Sequence, residues 1–225
     1  MTHRCLRFAP WIFHALADGE LVLLDARSNE FVLFDRDASR ELVDAVEGRA
    51  MSPFVERLLV EGRLQHASST PKLNRSHVPG IDDFTWSESV RYKARHHASC
   101  PSGREVLAAG LTLAKMCFLL KCVSLFRLLK SGRNRPVSQG PAKATLDREI
   151  CALVRAARWL PCKVACLEFS LALRERLARH GVNATVEIGV QKYSFMAHAW
   201  VEVDGQPLGE PDHVARSLHR LRGTE

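Results

Sequence analysis

The chain has 225 residues, of which 46% are hydrophobic and 25% charged, a balance that excludes a disordered chain, a collagen-like fibre and a disulfide miniprotein. Lys and Arg outnumber Asp and Glu by 32 to 25, a net +7, which raises nucleic acid, a membrane surface or an acidic peptide as partners. The charge is uneven. Residues 1–80 hold ten basic and eleven acidic side chains, whereas residues 91–135 hold ten basic ones against Glu105 alone.

In chain order, the first elements read as a small β/α module. Glu20–Leu24 and Glu30–Phe34 are β-rich runs joined by the polar turn Asp25-Ala-Arg-Ser-Asn29, which predicts a hairpin. Asp35 or Asp37 caps a helix running to Val46, ended by Gly48; Ser52-Pro53 opens a second helix, ended by Gly62. Residues 66–82 are polar, with two prolines and a glycine, and read as a linker. The expected division is therefore a first domain over 1–80 and a second over 81–225.

The second domain opens with a long helical candidate, Glu105–Lys130, whose Leu107, Leu111, Phe118 and Leu125 make it strongly apolar. A membrane span needs about 20 mostly apolar residues, and Lys115, Lys121 and Arg127 interrupt this one. A core helix with lysine stems lying along its surface is expected, with an interfacial or partner-binding helix as the alternative. After a Gly/Pro/basic loop over 131–143, a helix runs from about Thr145 to Trp159, and Pro161 blocks its continuation. Then follow a helix over Cys166–His180 stopped by Gly181, strands over Ala184–Val190 and Ala197–Val203, a turn at Asp204-Gly205 and a returning strand over Gln206–Glu210. The fold class expected is α+β, helices followed by an antiparallel sheet.

Seven cysteines at irregular spacing, with no CxxC pair, argue against a zinc ribbon, and His96-His97 beside Cys100 is too sparse for a metal site. No signal peptide is read at the N-terminus, so free thiols in a reducing cytoplasm are expected.

Cys166 opens its helix, where the positive end of the macrodipole favours an anionic sulfur. His198 sits on a downstream strand, and a carboxylate follows on or after the next one. Those are the parts of a nucleophilic triad: thiol, proton acceptor, and a carboxylate that fixes the imidazole tautomer.

The local sequence then carries a resemblance. Cys166-Leu-Glu-Phe-Ser-Leu-Ala-Leu, the helix-ending Gly181, Ile188-Gly-Val and Ala197-His-Ala-Trp-Val-Glu-Val-Asp-Gly205 resemble the transglutaminase-like cysteine protease of lasso-peptide biosynthesis, the B protein or leader peptidase. The resemblance covers about residues 100–215 and implies Cys166 as nucleophile and His198 as general base. The family places its third member, Asp or Glu, shortly after the hairpin, where Glu210 stands and Asp212 follows. Strand geometry weighs the two. A two-residue turn at Asp204-Gly205 would pair 198 with 211 and turn Glu210 to the opposite face, whereas a three-residue loop would set 210 across from 198. A three-residue loop and Glu210 are therefore expected, with Asp212 as the fallback.

The first domain resembles a RiPP recognition element, the winged-helix-like leader-binding module, through Asp18-Gly-Glu-Leu-Val-Leu-Leu-Asp25, Glu30-Phe-Val-Leu-Phe34 and Leu58-Leu-Val-Glu-Gly-Arg-Leu64. The resemblance implies that a leader peptide adds as a strand beside Glu30–Phe34 and packs on the helix over Phe54–Leu64. The candidate leader-binding residues are Glu30, Phe31, Val32, Leu33, Phe34, Phe54 and Leu58, some of which belong to the core on the plainer reading. The family also implies two partners: the precursor peptide and an ATP-dependent, asparagine-synthetase-like cyclase. No phosphate loop or cofactor motif is present, so ATP dependence would enter through the cyclase. Competing readings are a winged-helix nucleic-acid-binding regulator, disfavoured by the neutral residues 1–80, a non-catalytic leader-binding scaffold, and an amide-forming transglutaminase. The basic stretch 91–135 is left to an acidic peptide, the cyclase or a membrane surface.

Overall fold

The computed structural model describes residues 5–82, 84–96, 100–131 and 143–223. In chain order the elements are β1 (Cys5–Phe8), β2 (Ile12–Ala17), β3 (Glu20–Asp25), β4 (Glu30–Leu33), α1 (Arg36–Val46), α2 (Pro53–Val60), β5 (Leu64–Ala67), β6 (Arg75–Ser76), α3 (Trp86–His96), α4 (Gly103–Cys122), α5 (Leu125–Lys130), α6 (Lys143–Ala157), α7 (Cys166–Arg179), β7 (Ala184–Gln191), β8 (Met196–Val203), β9 (Gln206–Leu208), α8 (Asp212–Ser217), β10 (His219–Arg220) and β11 (Arg222–Gly223). The chain divides into two compact units. One is built from the stretch up to Pro79, Val190–Met196 and the stretch from His219; the other from Gly80–Gly189 and Ala197–Leu218.

In the first unit β2 and β3 form a tight hairpin through Asp18 (φ 50°) and Gly19 (φ 87°), a pair of left-handed residues that matches the strand twist. The predicted β3–β4 hairpin is present, with Asp25 opposite Glu30, and β4 is the edge strand of the order β11-β2-β3-β4. Asp35 caps α1 by accepting the Ala38 N–H at 2.8 Å, and Ser52 caps α2 through Val55 N–H, which satisfies donors that the helix itself leaves open. Leu6, Phe8, Leu21, Leu42, Val55 and Leu64 close over one another as the core.

The segment read as a linker is structured in three places. β5 pairs with β1, Leu73 is buried in the core, and β6 runs parallel to β2. Its polar composition concealed this, because short backbone pairing needs no apolar pattern. The two-residue β11 likewise returns to β2.

In the second unit the long helix predicted over Glu105–Lys130 is two helices. Val123 is extended (φ −128°, ψ 136°) between α4 and α5, and the Arg174 guanidinium takes up the Leu128 and Leu129 carbonyls at the end of α5. The face of α4 also differs from expectation: Ala109, Thr112, Leu113 and Met116 are buried, while Leu107, Leu111 and Phe118 are more than 60% exposed. An almost uniformly apolar helix does not choose its own face by pattern. The packing of α4 against α6 and α7 decides it. Among the described residues no helix is long and apolar enough to cross a membrane. Most of the predicted basic loop over 131–143 lies outside the described residues, as does His97.

In its sheet β8 lies between β7 and β9. Gly189 on β7 lies directly beneath Trp200 of β8, so a Cβ there would stand 2.8 Å from both the indole ring and Leu218 Cβ. Gly189→Ala is therefore expected to destabilise the second unit by about 1–3 kcal/mol through overpacking, seen as a lowered melting temperature in calorimetry; an unchanged one would mean that the indole moves aside freely.

Candidate active site

Three elements of the second unit converge on one buried point. α7 begins at Cys166. Its cap residue Ala165 has no side-chain oxygen to offer the first-turn N–H groups, and Glu168 instead reaches back to the Ala165 N–H at 3.1 Å. The thiol is partly exposed, and it lies near enough to His198 to bear on the protonation of the imidazole. Ser170 Oγ donates to the Ala199 carbonyl at 3.0 Å and fastens α7 to β8 beside His198.

His198 is 3% exposed. Phe84 meets its ring edge-on at 5.2 Å, Trp200 stacks over it at 6.1 Å, and Trp86 lies at 6.4 Å. Its Nε2 stands 3.2 Å from Glu210 Oε1. The approach is off the N–H axis, the loose geometry that unliganded sites commonly show.

Glu210 reaches His198 by a route that strand parity did not anticipate. The expected three-residue loop is absent. Asp204 (φ 51°) and Gly205 (φ 75°) form a two-residue turn, with Val203 opposite Gln206 and Val201 opposite Leu208. Continued regularly, that register would turn residue 210 away. Instead β9 stops at Leu208 and Gly209, at φ 70°, leaves the strand. Glu210 then lies in a connection whose direction no longer follows strand alternation. Asp212, the fallback, is exposed at the start of α8.

The carboxylate of Glu210 has further partners that sequence reasoning missed. Ser89 Oγ donates to it, lying 2.9 Å from each oxygen, and the Lys93 ammonium donates to Oε1 and to Ser89. Lys93 is 2% exposed, with its nitrogen 5.3 Å from the Trp86 ring centre and 5.5 Å from that of Phe169. Trp86 Nε1–H is anchored on the Val164 carbonyl at 2.9 Å. Trp86, Ser89 and Lys93 share one face of α3 at spacings of three and four, and that spacing was the only signal available. A lysine in a basic stretch reads as solvated until the fold buries it.

The electrostatics follow from this arrangement. Burial works against the charged form of Glu210, yet its contact with His198 and the charges of Lys93 and His198 hold the carboxyl below its usual range. Burial disfavours the imidazolium of His198, yet the neighbouring Cys166 and the Glu210 carboxylate raise it above the ordinary histidine value. Burial dominates at Lys93 and lowers it, against the pull of Glu210.

The candidate leader-binding residues lie in the first unit and have two fates. Phe34 and Leu58 are core, 9% and 5% exposed, with the Phe34 ring 5.8 Å from that of Phe54. Val32 and Phe54 pack against the same core, half-buried. Glu30, Phe31 and Leu33 keep exposed surface along the edge strand β4, and the Phe31 ring meets that of Phe195 at 5.4 Å. All seven cysteines are free, and Cys117 and Cys162 approach to 3.5 Å between sulfurs, where burial pushes the Cys117 thiol up to about 12.

Because Glu210 supplies much of what raises His198, Glu210→Gln should leave burial dominant. The His198 titration midpoint, followed by the imidazole Cε1–H resonance, is expected to fall below its wild-type value; an unmoved midpoint would mean that the carboxylate is not coupled to the ring.

Residues 110–222, just over half of the chain, match the transglutaminase-like superfamily. The microcin J25-processing protein McjB of Escherichia coli is 36% identical over 56 residues. That alignment covers 25% of this chain and 27% of McjB, so the chain spans about a quarter of the length of the curated relative it matches. No solved structure matches the chain significantly. The matched span holds Cys166, His198 and Glu210 in the order thiol, imidazole, carboxylate, and the chain belongs to the transglutaminase-like superfamily.

Proposed function

We propose that the chain is a cysteine peptidase that removes the leader from a ribosomally made lasso-peptide precursor. The observation that carries this reading is the buried His198–Glu210 contact, walled by the rings of Phe84, Trp86 and Trp200, beside the partly exposed Cys166 at the start of α7. The partial match to a microcin-processing protein supports the substrate class.

With Nε2 turned to Glu210, Nδ1 of His198 is the nitrogen left for the thiol proton. Cys166 Sγ attacks the carbonyl at the leader–core junction, and the backbone N–H of Cys166, at the open start of α7, faces the developing oxyanion. Collapse of the tetrahedral adduct breaks the C–N bond; His198 returns the proton to the leaving amine, and the leader stays on sulfur as a thioester. Water, deprotonated by His198, then displaces the thiolate. The balance is one amide and one water giving one carboxylic acid and one amine.

In this reading the first unit is the recognition element. An incoming leader extends the sheet at β4, where Glu30 and Leu33 are exposed and Phe31 is half-exposed, while Phe34 and Leu58 support the strand from the core. The freed core amine would pass to an ATP-dependent cyclase, so ATP belongs to that partner.

The test is incubation with a panel of synthetic lasso-peptide precursors, including that of microcin J25, read by mass spectrometry. The expected products are free leader and core whose masses sum to the precursor plus one water. Cys166→Ala should abolish cleavage, a loss of at least about 10³-fold, and still bind the leader in a polarisation assay. A glutamine–lysine crosslink with loss of ammonia would replace hydrolysis by amide transfer. Loss of leader binding in Cys166→Ala would remove the division of labour between the units.

A further inference from the structure

Glutamate differs from aspartate by one methylene, hence by one more torsion to fix if its carboxylate is to hold one direction. Here the fixing is done from α3, through two donors at spacing four. Ser89 bridges both oxygens of Glu210 and Lys93 seals one of them. Lys93 is held in turn by Ser89 and by the faces of Trp86 and Phe169. A buried lysine is costly unless paired, and Glu210 is its one carboxylate partner among the described residues.

We propose that Lys93 is a positioning residue for the Cys166–His198–Glu210 site: its ammonium, with Ser89, fixes the Glu210 carboxylate toward His198 and balances its charge, so that the imidazole is free to accept a proton near neutrality. The inference rests on reading those three residues as a triad.

The charge argument has a definite sign. The groups facing this cluster are Glu210, His198 from β8, Cys166 from α7 and Ser89 from α3, with the rings of Trp86 and Phe169 completing the wall. Without Lys93, deprotonating His198 would leave a lone buried carboxylate. Removing a cation raises the proton affinity of its neighbours, so imidazole and carboxyl would both release their protons at higher pH. Removing Glu210 does the opposite to His198. A side chain that merely filled space would move neither.

The experiment needs no peptide substrate, which separates its failure from failure of the peptidase reading. The full chain carrying Lys93→Met, or Lys93→Gln, which keeps a donor without the charge, is alkylated with iodoacetamide across pH 5–9. Modification of Cys166 is followed by peptide mapping, and His198 is titrated by NMR. Both variants are expected to move the acid limb of Cys166 alkylation and the His198 midpoint upward by about one pH unit, so that alkylation near pH 6 slows about tenfold. Glu210→Gln moves the His198 midpoint downward, and the double variant Lys93→Met/Glu210→Gln lies between and melts above either single one, because no buried charge is left unpaired. A folded Lys93 variant with wild-type alkylation profile and midpoint, or a downward shift, would overturn the proposal. If neither Lys93 variant folds, failure of the double variant to recover the fold would overturn the charge pairing. Alkylation indifferent to His198→Ala would dissolve the triad and, with it, the role given to Lys93.

Discussion

The carboxylate of Glu210 is the point on which the second unit's chemistry turns. It is 4% exposed, beyond the reach of bulk water, and a buried carboxylate survives as an anion only when donors and cations surround it. His198, Ser89 and Lys93 supply them from two separate elements, β8 and α3. The same contacts that make the anion tolerable also orient the imidazole. Coulombic attraction in such a site is stronger than at the surface, and the penalty for a missing partner rises with it.

The aromatic wall enforces this. Phe84, Trp86, Trp200 and Phe169 exclude solvent from the ring of His198 and the ammonium of Lys93. Gly189 permits the wall by letting Trp200 lie against the backbone of β7. A motif glycine, a tryptophan two residues beyond the histidine and a helix start thus serve one end: a half-open thiol beside a dry proton acceptor.

The net charge of +7 acquires a different meaning once positions are known. Lys93 is inside the protein, and Lys115 is tied to Glu175 at 2.9 Å. Arg104, Lys121 and Arg127 remain exposed, on helices whose Leu107, Leu111 and Phe118 are also exposed. Part of a stretch that reads as a uniform basic patch is internal wiring.

Local chemistry made much legible in advance. The caps at Asp35 and Ser52, the glycine stops and the helix start at Cys166 depend on neighbours within four residues, so the sequence alone determines them. The order thiol, imidazole, carboxylate was readable in Cys166, His198 and Glu210, with Asp212 left as the alternative carboxylate. The route to Glu210 was not: turn length was misjudged because Asp-Gly admits a two-residue turn, and the departure at Gly209 rests on one left-handed torsion. The pairing of two-residue strands with β2, the buried face of α4 and the interior lysine were decided only by tertiary structure. Those outcomes depend on which distant surface covers a residue. Backbone pairing is blind to side-chain pattern, a helix apolar all round has no preferred face, and a lysine enters the core only where a carboxylate more than a hundred residues away meets it.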